Sequence, residues 1–484
     1  MQRALHLKLF TVPSDFDFFR LHYSLKHFYF KGIFFMAIIS PFRGYLYNKE
    51  KIGNLELVVA PPYDVINTEQ QDLYYRKHPL NVIRLISGKQ EPGDNAANNK
   101  YSRAAHFLAT WQKDTTLVRV PKPAIFFYVQ DFKLPSGESR GRKGFISLFK
   151  LEEFSSGVIL PHERTLSKPK VDRLNLTMAC RANFNPIFSL YSDPDFTIER
   201  HSDRVGGTPP YLDITDESGV RHKLWVVDAP EVVAEITQVL HDKKVLIADG
   251  HHRYETALNY KKIMREQYPG STGAEPFNYT LMYFTNMEDA GLVILPTHRL
   301  LKNFKFNTTE FLNKAKEFFD IQTLPFGSDS EEQEREKVLA AMKKEAKEHY
   351  LVGMVTKKQG SYFLLRLKDF SLLDTVVNRE LSKALRHLDV TIMEFLVFNT
   401  LLEISCSDPQ WEENLTFVHT EREAVGLVKS GACEVAFLVN PTRIEQVRDV
   451  VAQGEVMPQK STYFFPKLLS GLVVNPINPE EKIA

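Results

Sequence analysis

The chain has 484 residues, which suits two to four domains at roughly 100–200 residues each. Hydrophobic residues make up 43% and charged residues 25%, ordinary for a soluble globular protein, and a formal net charge of +1 gives no ground for bulk binding to nucleic acid or an anionic membrane. Cys180, Cys406 and Cys433 stand far apart without a CxxC pair, which excludes a disulfide framework or a thiolate zinc site and fits a reduced, cytoplasmic setting.

Residues 1–35 carry ten Phe or Tyr, but Asp15, Asp17, Arg20, Lys26 and Lys31 break any apolar run. The segment therefore reads neither as a signal peptide nor as a membrane span. We expect an extension read from an upstream start codon, or a disordered appendage, with Met36 opening the folded chain. Beyond it, "LELVVAPPYDVI" (Leu55–Ile66) reads as a strand halted by Pro61 and Pro62. "TEQQDLYYRKHP" reads as a helix with Thr68 as N-cap and Gln71 completing a capping box. "NVIRLI" (Asn81–Ile86) reads as a short strand and Asn98–Asp114 as an amphipathic helix. A hairpin is expected around the turn from Pro135 to Gly144, then a helix at Glu231–Lys243.

Further on, Phe277–Met287 and Gly291–Leu301 look like buried strands, and Ser328–Tyr350 like a solvated helix of mixed charge. Thr391–Ile404 is an apolar helix, "EREAVGLVKSGACEVAFLVNPT" a helix and strand, and "RIEQVRDVVAQG" a helix ended by Gly454. This alternation gives a mixed α/β class. The expected divisions are 1–35, a core over 36–305, and a further α/β region over 306–484 packed on that core.

Four stretches carry candidate chemistry. "VLIADGHHRYETALNY" (Val245–Tyr260) is a strand, a Gly turn and a helix. A helix start presents free amides and the positive end of the dipole, so it attracts anions. Asp249, Gly250, His251, His252 and Arg253 at such a mouth point to phosphate or phosphoanhydride. The bland alternative has Asp249 capping the helix and the histidines on the surface. Adjacent histidines face apart and no HExxH occurs, so no protein metal site is expected. A divalent ion held by Asp249 and His252 through a phosphate stays open.

The second stretch, Leu160–Asp193, gathers His162 and Glu163 as candidate general bases. Its Lys168, Lys170 and Arg173 could offset phosphate charge, unless they form only a solvated basic loop. The third joins Tyr63 and Asp64 in a Pro-Pro turn to Arg84, which interrupts an apolar run; Asp64 and Arg84 could simply pair. The fourth, Lys460, Ser461 and Thr462, could bind an anion or cap a helix.

Together "FRGYLY", "APPYDVI", "NVIRLI", "HERTLSKPKVDR", "ANFNPIF", "ADGHHRYETAL", "LDVTI", "VAFLVNPT" and "MPQKSTYFFPKL" resemble the blocks of domain-of-unknown-function family 1015, from about Pro41 to Val474. That prokaryotic family is sometimes described as ParB-like. "IADGHHR" is also similar, more distantly, to the strand–Gly–basic–helix element of the ParB/sulfiredoxin superfamily, which includes free-serine kinases. The resemblance implies a ParB/sulfiredoxin-like core with large additional α/β segments. It implies that Gly250, His251, His252 and Arg253 hold nucleotide phosphates, with Asp64 or Glu163 as base.

The chain departs from its relatives in three places. It has no evident helix-turn-helix, it lacks a Gly-Cys-His-Arg turn, and no histidine stands near Met393–Glu394 after "LDVTI". The resulting expectation is phosphoryl transfer between a small-molecule donor, ATP or ADP with Mg2+, and a small hydroxylated acceptor. Serine or phosphoserine is the acceptor the resemblance suggests. The alternatives are a nucleotide-binding regulator without turnover and a metal-dependent phosphatase. No nucleic-acid or membrane partner is expected.

Overall fold

The computed structural model describes residues 36–165, 167–357, 359–405 and 414–483, with the backbone alone for Ser167 and Lys168. The expectations for residues 1–35 and for Cys406 lie outside the described residues. Cys180 and Cys433 are free and buried.

The fold is mixed α/β, built on two large sheets. The first has nine strands. Across it run Ile159–Leu160, Val245–Asp249, Ile187–Tyr191, Tyr279–Asn286, Ser139–Lys150, Ile125–Lys133, Arg221–Val227 and Leu212–Thr215, with Ile39–Ser40 added on Ser139–Lys150. Only two of its pairings are parallel, Val245–Asp249 with Ile159–Leu160 and Tyr279–Asn286 with Ile187–Tyr191. Both faces are covered. Phe126 and Tyr128 enter one apolar cluster while Ile125 and Phe127 enter another, the period-2 alternation of a strand between two layers.

The second sheet is antiparallel, in the order Phe319–Pro325, Ser361–Leu367, Leu351–Thr356, Val435–Leu438, His298–Leu301, Leu415–Val418. Its His298–Leu301 strand comes from the core side of residue 305. After the helix Ile444–Ala452 the chain forms a separate two-stranded sheet, in which Tyr463–Phe465 pairs antiparallel with Val293–Leu295.

Several elements differ from their sequence reading. Leu55–Ile66 is no strand: it forms single turns at Leu55–Leu57 and Tyr63–Val65, with one bridge at Ala60. The Asn54 side chain accepts from Glu56 N and starts the first turn, while Pro61 and Pro62 lack the amide protons a ladder needs. "NVIRLI" is a helical turn, Ile83–Ile86. Buried Asn81 causes it, accepting from Ile83 N at 2.9 Å and donating to Leu57 O at 2.8 Å and Val59 O at 3.0 Å.

The Thr68–Lys77 helix is capped one residue earlier than expected, by Asn67 in a capping box with Gln70. Gly291–Leu301 is two strands rather than one. Pro296 breaks it, and Val293–Leu295 and His298–Leu301 join different sheets. The apolar helix expected from Thr391 starts at Asp389 and continues as a π-helix over Met393–Leu401.

Candidate functional site

The Val245–Asp249 strand is buried through Ala248 and delivers Asp249 to the sheet end. Gly250 then turns the chain with φ +95°, a conformation L side chains avoid. A Cβ there would lie 2.8 Å from the Arg253 guanidinium, so the arginine folds back over the glycine. The helix His251–Gln267 begins at once, and its first internal bond runs from Tyr254 N to Gly250 O. The amides of His251, His252 and Arg253 precede that bond, and the N-cap Gly250 brings no side chain to cap them.

Asp249 does not cap the helix. Arg253 Nη2 donates to its Oδ2 at 2.7 Å, and Lys467 donates to its Oδ1. Burial works to raise the Asp249 carboxyl, but Lys467 and Arg253 outweigh it and hold the group well below the usual carboxylate range. Burial likewise opposes the Lys467 ammonium, yet Asp249 and Asp64 keep it above its ordinary value. One carboxylate thus faces two cations beside uncapped amides. Arg253 is held further by donation to Pro186 O at 2.5 Å.

Lys467 is the residue that sequence reading missed. Its only signal was a lone charge in the run Phe464-Phe465-Pro466-Lys467-Leu468-Leu469. Two buried side chains of the first sheet hold this run. Arg142 donates to Phe465 O at 3.1 Å and to Pro466 O at 2.5 Å, Gln130 donates to Lys467 O at 3.0 Å, and Arg142 also donates to Gln130. Tyr463 lies under the Lys467 ammonium, 4.7 Å from ring centre to Nζ, and its ring also stacks with His419.

The histidines differ from expectation. His162 has no exposed surface. Its Nδ1 lies 2.6 Å from Ile247 O and its Nε2 2.8 Å from Thr462 Oγ1. A carbonyl can only accept, so the proton sits on Nδ1 and Thr462 donates to Nε2. No ring nitrogen remains to take a proton from a substrate, so His162 is a joint between strand, helix and loop rather than the expected base. Burial lowers it to about 4.

His251 Nε2 accepts from His162 N at 3.3 Å, and burial, then His162, keep this imidazole neutral at pH 7. His251 is therefore spent on the turn and does not present a charged side chain to a phosphate. His252 is half-buried, with its proton affinity also lowered by burial.

Glu163 accepts from Lys460 N at 2.9 Å, and burial pushes its carboxyl up to about 7. Asp64 is exposed on the turn at Tyr63–Val65 and is near enough to Lys467 and His252 to influence both. The Tyr63 ring lies under the Arg173 guanidinium at 3.9 Å. Arg173 also donates to Asp172 at 2.9 Å and to Ile86 O at 2.8 Å, so its charge is already paired. Lys170 pairs with Glu255 at 2.7 Å, and the Lys168 side chain lies outside the described residues.

Two expectations are corrected. Arg84 neither pairs with Asp64 nor reaches the turn: it donates to His78 O at 2.8 Å and Tyr75 O at 2.9 Å and stacks on the Tyr75 ring. Lys460, Ser461 and Thr462 cap no helix. Lys460 has φ +57°, the Ser461 hydroxyl donates to Pro458 O at 2.6 Å, and Thr462 serves His162. The Ser461 and Thr462 hydroxyls are thus engaged within the fold, while the exposed Lys460 ammonium lies near enough to the turn to act on His252 and Glu163.

The structure therefore gathers Asp64, His162, Glu163, Asp249, Gly250, His251, His252, Arg253 and the 460–467 loop around one strand-to-helix turn. Among the described residues no group of three or more His, Cys, Asp or Glu could hold a metal ion. No helix among them is long and apolar enough to cross a membrane.

The class these features define is a mixed α/β protein with an uncapped, cation-flanked helix start at a sheet end. The family described as "Protein of unknown function (DUF1015)" matches residues 39–391, and the chain belongs to it. No curated protein matches. Among solved structures, a conserved hypothetical protein from Pyrococcus furiosus is similar at 12% identity, over 63% of this chain and 87% of that one, with a TM-score of 0.28. A free serine kinase in complex with AMP is similar at 13% identity, over 67% and 88%, with a TM-score of 0.29. SbnI with a C-terminal truncation, from Staphylococcus aureus, is similar at 9% identity, over 70% and 84%, also with a TM-score of 0.29.

Proposed function

We propose that this protein is a phosphoryl-transfer enzyme that binds the phosphates of a nucleotide at Asp249–Arg253 and passes one to a small hydroxylated acceptor. The observation that carries the reading is that two cations, Arg253 and Lys467, are fixed on one shared carboxylate beside the start of the His251–Gln267 helix, whose N-cap Gly250 brings no side chain. A phosphate there would accept from the first-turn amides and lie beside Lys467 and Arg253. Both cations are already fixed by Asp249, so neither has to be ordered when the ligand arrives. Phosphoryl transfer asks for positioning and charge neutralisation above all.

The acceptor hydroxyl needs a carboxylate to take its proton. Asp64, exposed beside Lys467, is the leading candidate, and Glu163, held near neutrality, is the second. Were Mg2+ to take part, Asp64 or Glu163 would be the carboxylate to hold it, and the ion would supply neutralisation of phosphate charge. Serine as acceptor follows only from the wording of the Asp-Gly-His-His-Arg turn.

The test is thermal denaturation with ATP, ADP and pyrophosphate, each with and without Mg2+, followed by product analysis with serine and other small alcohols. A ligand at a hundred times its Kd stabilises the native state by about 2.7 kcal/mol. We expect stabilisation by the nucleotides that disappears in Arg253→Ala, and turnover that disappears in Asp64→Asn. Stabilisation that survives Arg253→Ala would move the phosphates elsewhere. Binding without any product would leave a nucleotide-dependent regulator.

A further inference from the structure

Behind the phosphate turn lies a cleft, open to solvent, between the helices Ser167–Cys180 and His251–Gln267. Arg253 forms part of its wall, and the same guanidinium covers Gly250. The cleft runs along one face of the second helix, past Thr256 and Ala257 to Tyr260, positions three, four and seven residues after Arg253. Phe184 and Phe277 supply aromatic lining, and Asn183 and Asn185 supply amides. Each amide is half engaged: Asn183 accepts from Asn475, and Asn185 donates to Ser470.

At the far end stands an anomaly. Tyr260 is 2% exposed, and its hydroxyl has no partner. A buried hydroxyl without a partner is costly, and such groups are uncommon in native proteins. Met264, Phe277 and Ile477 pack around it, and Arg181 is near enough to act on it without bonding to it. A ligand with a polar edge on a flat body would supply a partner.

We propose that this cleft receives the nucleoside end of the phosphate-bearing ligand. The heterocycle lies against the Phe184 and Phe277 side, and its polar edge meets Tyr260 and the two asparagines. The phosphates point back past Arg253 to the first-turn amides. This rests on the phosphate reading above, and adds that the donor is recognised as a nucleotide rather than as a bare polyphosphate.

The experiment is titration calorimetry of the full chain with pyrophosphate and with ADP, both with Mg2+. We expect ADP to bind about tenfold or more tightly than pyrophosphate. Thr177→Phe, which fills the cleft, should bring ADP down to the pyrophosphate level while pyrophosphate affinity stays within about twofold. Tyr260→Phe should weaken ADP several-fold and leave pyrophosphate unchanged. Equal affinities in the unaltered protein, or a Tyr260→Phe change that affects both ligands alike, overturn the cleft assignment and spare the phosphate site. Binding of neither ligand overturns both. Should Thr177→Phe fail to fold, the wild-type ratio and Tyr260→Phe decide the matter.

Discussion

The same trio of charges occurs in both sheet regions. In the first, Asp249 takes Arg253 four residues on and Lys467 from a distant loop. In the second, Glu331 takes Arg335 four residues on, at 2.9 Å, and Lys429 from a distant helix, at 2.7 Å. The surroundings separate them. The Glu331–Glu345 helix carries Glu331, Glu332 and Glu334 in its first turn, so its own side chains answer the dipole. Glu332 also accepts from Arg335, and the Tyr362 hydroxyl donates to Glu331. That cluster is closed. The His251–Gln267 helix has no acid in its first turn, and beside it Arg253 and Lys467 are both bonded to the single carboxylate of Asp249. An ion cluster alone is thus a poor guide to function; the discriminating feature is what remains unanswered around it.

The largest effect should come from removing both cations of the open cluster. Charge-assisted hydrogen bonds are worth about 1.5–3 kcal/mol each, so Arg253→Ala with Lys467→Met should cost about a hundredfold to ten-thousandfold in pyrophosphate affinity. Lys429→Met removes the equivalent cation from the closed cluster and should leave that affinity unchanged, although stability falls. Calorimetry on the two variants is the direct comparison. Equal losses in both would mean that the distinction between the clusters is illusory.

Acid should next separate the buried joint from an ordinary histidine. The folded pKa of His162 is about 4, against about 6.5 when unfolded. Below 6.5 the unfolded chain gains a proton that the folded chain refuses, so this group costs stability progressively from pH 6.5 down to about 4. His162→Asn escapes that cost. Its deficit relative to the unaltered protein should therefore shrink by about 2 kcal/mol between pH 7 and pH 5. Urea denaturation at the two pH values measures it. A deficit independent of pH would show that His162 protonates freely while folded.

A smaller effect distinguishes two glycines. Gly250→Ala combines a left-handed backbone with a Cβ only 2.8 Å from Arg253, whereas Gly454 has φ +72° and open space. Both replacements should cost about 1–2 kcal/mol in backbone strain. Only Gly250→Ala should also weaken pyrophosphate, because the displaced arginine belongs to the site. Thermal denaturation and titration on the same samples separate the two costs.

How much of this was legible depends on how local the signal is. The strand, Gly turn and helix of Val245–Tyr260 follow from contiguous residues, and so does the hairpin of Ile125–Lys133 and Ser139–Lys150. Leu55–Ile66 and Asn81–Ile86 misled because Asn54 and Asn81 divert neighbouring amides into turns, while apolar content alone suggests a strand. Lys467 was hidden for another reason. Its partner Asp249 is remote in sequence, and the Arg142–Gln130 pair that presents it comes from a third segment. The neutrality of His162 and His251 follows from packing no single stretch contains. Sequence thus marked the turn and Arg253, but it named the histidines as further donors where the fold engages His162 and His251 in bonds of its own, and it missed Lys467.

Arg84 provides the smallest effect and a boundary for the site. As a charge in an apolar stretch it invited a binding role, yet its guanidinium is satisfied by two carbonyls and the Tyr75 ring. Removing it should release those carbonyls and loosen the junction between Thr68–Lys77 and Ile83–Ile86. Arg84→Met should therefore cost about 1–2 kcal/mol in stability, moderated by its partial exposure. Pyrophosphate affinity should stay within about twofold, since no bond runs from Arg84 to the turn. Denaturation midpoints and titration together check both halves. A tenfold loss of affinity with stability intact would extend the site to this helical turn. The cations that hold phosphate would then include one that the fold otherwise uses only to tie its own backbone.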